Sequence, residues 1–93
     1  MTNGLMTQDE IALFNLIDAY ASRFGYGVSK IEADASGTFH WVELTNPERD
    51  GFRRIMVFAE SLRETVDSRK LSDAIILNLD SELRDDNRGA IGR

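Results

Sequence analysis

The sequence predicts an α+β fold in one small domain, ordered helix, β-hairpin, helix, helix, with the helices on one face of a small antiparallel sheet. Three observations predict it. Residues 8–24 repeat apolar side chains at helical intervals behind a capping box. Two runs rich in β-branched and aromatic residues, 26–33 and 38–45, flank the turn-forming Asp34-Ala35-Ser36-Gly37. Residues 46–66 and 71–83 then return to helical spacing.

In the first helix, Thr7 and Glu10 make the capping box, while Gln8, Asp9 and Glu10 suit the positive end of the helix dipole. Ile11, Leu13, Phe14, Leu16, Ile17, Tyr20, Ala21 and Phe24 give a broad helical face. Within it Ile11, Phe14, Ile17, Ala21 and Phe24 repeat at three- to four-residue intervals, and Gly25 is placed to end the helix in the left-handed conformation. In the hairpin, setting Asp34 opposite Gly37 pairs Ile31 with His40, Lys30 with Trp41 and Val28 with Glu43. One side then carries Tyr26, Val28, Lys30, Glu32, Phe39, Trp41 and Glu43. The other carries Gly27, Ile31, Ala33, His40, Val42 and Leu44, and its small residues let helices approach. A one-residue slip would exchange the two sides.

The segment 46–66 reads as a central helix. Asn46 can cap it, Pro47 fits the first position, and Glu48 and Asp50 suit the first turn. Phe52, Ile55, Met56, Ala59, Leu62 and Val66 form one stripe, with Gly51 the discordant residue. The alternative is a third strand at 52–58 after an Asn-Pro…Asp-Gly loop. Ile55-Met56-Val57-Phe58 does not alternate, which favours the helix. The last element starts at Ser72-Asp73 and repeats Leu71, Ile75, Leu79 and Leu83 at four-residue steps. A buried strand over 74–79 is its alternative. Residues 1–6 and 86–93 read as mobile tails.

Composition bounds the function. With 93 residues there is one domain, 1–93, burying roughly 60–65% of the surface its unfolded chain exposes. The absence of cysteine excludes disulfides, thiolate zinc sites and cysteine nucleophiles. No stretch approaches the roughly 20 apolar residues of a membrane span, and the N-terminus has no secretory pattern, so a cytoplasmic protein is expected. A net charge of −5 disfavours binding to phosphate backbones or anionic lipid. It is compatible with a basic protein partner, or with solubility alone.

Catalytic chemistry finds few residues. His40 is the only histidine. It can be read as a general base, or as a half-buried strand residue whose ring packs and finds one hydrogen bond. No carboxylate sits at a diagnostic spacing from it for a metal, so neither metal nor cofactor is expected. Gly25-Tyr26-Gly27 lacks the third glycine of a phosphate-binding loop, and Asp80, Glu82, Asp85 and Asp86 lack the glycine that a calcium loop needs at its sixth position. Arg49 and Arg53, one turn apart on a helix, could grip an anion, or pair locally with Glu48 and Asp50. With a strand at 52–58, the element order resembles that of double-stranded-RNA-binding domains. Those depend on a basic start to their second helix, whereas here it would open at Ala59-Glu60, so direct nucleic-acid binding is not expected.

The most informative feature is the aromatic side of the hairpin. Either Tyr26, Phe39 and Trp41 form the core, or they stay accessible and meet a partner. The function expected is therefore non-enzymatic binding of another protein by a small inhibitor, adaptor or regulatory subunit, of a compact kind found in phage and mobile-element genes. The contact residues would be Tyr26, Lys30, Phe39, Trp41, Glu43, Arg53 and Arg54, with homodimerisation through a free sheet edge as a variant. A second expectation is an acidic nucleic-acid mimic presenting Glu60, Glu64, Asp67, Asp80, Glu82, Asp85 and Asp86. An enzyme centred on His40 is the third.

Overall fold

A three-stranded antiparallel meander, in the order β1-β2-β3, is the centre of the fold. The computed structural model describes residues 6–84. Helix α1 (Gln8–Ala21) leads through a 3₁₀ turn (Ser22–Phe24) to strands β1 (Gly27–Ala33), β2 (Phe39–Thr45) and β3 (Arg53–Phe58). Helices α2 (Ala59–Ser68) and α3 (Asp73–Leu79) follow, and a wide turn (Asp80–Arg84) extends α3. Among the described residues no helix is long and apolar enough to cross a membrane. The mobility expected of residues 1–6 and 86–93 concerns, apart from Met6, positions outside those described.

α1 forms where local chemistry directs it. Thr7 accepts from the Glu10 N–H, Glu10 returns a carboxylate oxygen to the Thr7 N–H at 2.9 Å, and Gly25 ends the segment at φ +85°. Leu13, Ile17 and Ala21 are its buried stripe. In α3, Ser72 caps the Ile75 N–H and itself receives support from Thr65, whose hydroxyl accepts the Ser72 N–H at 3.1 Å. The last segment is therefore helix, with Ile75, Leu79 and Leu83 buried at four-residue steps.

The helix expected over 46–66 is corrected. Asn46 does not cap a helix: its side chain accepts the Glu48 N–H at 2.9 Å and its carbonyl accepts the Arg49 N–H, closing a turn. Gly51 at φ +83° then takes the chain out of any right-handed path. Residues 53–58 pair with β2 as the third strand, and only 59–68 are helical. Ile55 and Val57 alternate toward the core. The run failed to look alternating because Met56 and Phe58 are apolar too, although they point the other way.

The hairpin register is also corrected. Ala33 opposes His40, Glu32 opposes Trp41 and Ile31 opposes Val42, two residues away from the expected pairing. The reason is the turn: Asp34 binds the Ser36 N–H and hydroxyl at 3.0 and 2.6 Å, so a longer loop closes with the Asp34 N–H on the Phe39 carbonyl. A slip of two keeps each side chain on its side. A bulge between Val28 and Lys30 does not: it turns Val28 and Tyr26 to the helix-covered side, where both are buried. Val42, Leu44, Ile55 and Val57 join them there with residues of α1 and α3 in one core, against which Leu62 of α2 packs half-buried.

Candidate partner-binding face of the sheet

The strand pairings set the opposite side of the sheet out in rows. Lys30, Glu43 and Arg54 lie across the three strands in one row. Glu32, Trp41 and Met56 make the next, and Phe39 and Phe58 the third. None of these eight residues belongs to the buried core. Phe58 is 53% exposed, and Phe52, just before β3, is 52% exposed. Among the described residues the sheet thus has one face under helices and one that only its own side chains cover.

Those side chains hold one another. Phe39 meets Trp41 edge to face, with ring centroids 5.3 Å apart, and lies 6.0 Å from Phe58. The Arg54 guanidinium sits 5.2 Å from the centres of both Trp41 and Phe52, held between two rings. Lys30 pairs with Glu32 at 3.6 Å, and Glu43 accepts from the Ser29 hydroxyl at 3.3 Å. Among the described residues no carboxylate lies within ion-pair distance of Arg54. A shallow cleft of about 70 Å³ opens between Lys30, Glu32, Trp41, Glu43 and Arg54.

Of the residues that the sequence nominated, the structure brings Lys30, Phe39, Trp41, Glu43 and Arg54 together on this face. Tyr26 is corrected: the bulge turns it inward, where it is 6% exposed. Arg53 is separated from Arg54 by the strand's alternation and lines a recess of about 370 Å³ with Tyr26, Asn46 and Arg49 at the β2–β3 loop. Arg49 lies in that loop, so the helical pairing of Arg49 with Arg53 does not form. Phe52, Met56 and Phe58 belong to the face and were not nominated. The third-strand alternative for 52–58 was the signal that could have found them.

His40 lies on the other side. Its Nε2 is 2.9 Å from a carboxylate oxygen of Glu10, whose second oxygen completes the α1 capping box. Its Nδ1 is enclosed without a partner among the described residues. The ring therefore ties β2 to the start of α1. Of the acidic residues, Glu60, Glu64 and Asp67 are exposed on α2, while Asp80 accepts the Tyr20 hydroxyl at 2.6 Å and lies 3.7 Å from Arg84. That hydrogen bond, followed by burial, raises the Tyr20 pKa above its ordinary value. Asp85 and Asp86 lie outside the described residues. Among the described residues no three His, Cys, Asp or Glu side chains are grouped to hold a metal ion. Compared with known proteins, the chain matches no family model, no curated protein and no solved structure.

Proposed function

We propose that the chain is a non-enzymatic protein-binding module, an inhibitor, adaptor or regulatory subunit that engages another protein through the open face of its sheet. One observation carries this reading: Trp41, Phe39, Met56, Phe58 and Arg54 are gathered on the face that the helices leave uncovered. Tryptophan and arginine dominate binding energy at interface centres because each offers a large rigid surface with a polar edge. Lys30, Glu32 and Glu43 supply the charged margin usual around such a centre. A cytoplasmic setting and a phage or mobile-element source are parts of the same proposal and rest on size, acidity and absence of cysteine.

The stretch α1-β1-β2-β3-α2 resembles the element order of double-stranded-RNA-binding domains but does not redirect the reading, since α2 opens with Ala59-Glu60 and carries Glu64 and Asp67, and α3 follows it. The exposure of Glu60, Glu64 and Asp67 favours a second reading, an acidic mimic that occupies a nucleic-acid-binding partner. Affinity capture with wild type and Trp41→Ala separates the two. Loss of the captured protein on Trp41→Ala, with little dependence on salt, supports the aromatic face. Capture that survives Trp41→Ala but collapses between low and moderate salt supports the mimic and defeats the first reading.

A further inference from the structure

Each outer edge of the sheet has a backbone group already taken by a helix side chain. At the outer side of β3, Asn78 of α3 donates to the Met56 carbonyl at 3.2 Å. At the outer side of β1, Asp18 of α1 takes the Val28 N–H at 2.9 Å, and the bulge interrupts the strand immediately beyond. Both devices protect edges from added strands. The face is also a nearly charge-balanced part of an acidic molecule. Lys30 and Arg54 nearly offset Glu32, Glu43 and Asp34, leaving −1 on this face and −4 of the chain's net −5 elsewhere. Two copies can meet face to face with their acidic surfaces pointing apart.

We propose that a second copy of this chain covers the open face when no other partner holds it, about a two-fold axis along the Glu32–Trp41–Met56 row. The inference rests on the reading of the face as a contact surface. The row pattern selects the axis. An axis parallel to the strands would set Glu43 on Glu43 and Lys30 against Arg54 of the other copy. The axis along the middle row instead lays Lys30-Glu43-Arg54 over the row of Asp34, Phe39 and Phe58. Arg54 then meets the Phe58 ring, Lys30 approaches Asp34, and Trp41 packs on Trp41. Glu32 meets its own counterpart at the β1 edge, the one like-charge contact this axis keeps, beside the Lys30 that pairs with it, and Glu43 lies over the Phe39 ring. Three strands of about six residues span roughly 14 by 20 Å. That is well below the 800 Å² per partner of a stable interface, so the pair is weak and readily displaced.

Sedimentation equilibrium up to about millimolar protein tests this, a range suited to interfaces of this small size. The wild type is expected to dimerise with concentration, and Trp41→Ala and Phe58→Ser to weaken the dimer about tenfold or more while far-UV circular dichroism stays unchanged. The chain has no cysteine, so the axis can be read with single thiols. Facing sheets lie about 10 Å apart, beyond a disulfide's reach but within that of a short bismaleimide. Glu32→Cys, on the axis, is expected to cross-link, and Lys30→Cys, off it, to cross-link far less. A strictly monomeric wild type overturns the proposal, as does equal cross-linking of the two thiols. A monomer that still needs Trp41 to capture a foreign protein defeats this inference and leaves the contact-face reading intact.

Discussion

The two faces of the sheet are built from the same three strands and both carry large apolar side chains, yet they end in different environments. On one, Val42, Leu44, Ile55 and Val57 are shut beneath helices. On the other, Phe39 touches Trp41 and Phe58, Met56 lies beside Trp41 in register, and all four keep contact with solvent. The difference shows that residue type alone does not decide burial in a domain this small. Three helices suffice for one face, and the second is left to aromatic contacts and an arginine clamp.

The largest expected effect tests the covered face. Leu44→Ala, at a fully buried position, should cost about 2–5 kcal/mol by urea unfolding, through lost transfer energy and the cavity left behind. Trp41→Ala on the open face should cost only about 1 kcal/mol, mostly its edge-to-face contact with Phe39. Equal losses from the two would break the comparison. Tryptophan fluorescence sharpens it: Trp41 emission should be quenched by acrylamide in the folded monomer, and a blue-shifted, quencher-resistant signal would mean that the open face is closed.

Tyr20→Phe probes the helix side and should cost about 1 kcal/mol for its hydrogen bond to Asp80. The folded pKa of Tyr20 lies above its ordinary value near 10, first because of that bond and then because of burial. The contribution is therefore complete below pH 10 and lost as pH rises through the elevated value. Tyr20→Phe should remove that part of the alkaline decline in thermal stability. The smallest effect belongs to the exposed hairpin loop. The Ser36 hydroxyl, and then its N–H, hold the Asp34 carboxyl below its usual range. That contribution is present above the unfolded pKa and fades as pH falls through the lowered one. Ser36→Ala should slightly flatten the acid limb of a melting-temperature profile.

Legibility followed distance along the chain. The capping box of α1, the glycine at its end and the Ser72 cap of α3 are signals between residues a few positions apart, and each was readable. Asn46-Pro47 was readable but ambiguous, because the same side-chain acceptor that caps a helix also closes a turn. The position of Gly51 in the left-handed region resolved that ambiguity in favour of a strand. For the candidate face, Phe39, Trp41, Glu43 and Lys30 followed from alternation alone. Tyr26 did not, because a bulge at Ser29 leaves no mark in the sequence.

By itself the sequence determined the class of fold, the first and last helices and the hairpin, since capping, turn chemistry and alternation act within a few residues. Only the tertiary structure decided that 53–58 is a strand, that Tyr26 turns inward, and which apolar residues remain outside. Those outcomes depend on how far three helices reach across one sheet, a competition among distant segments for the same buried surface.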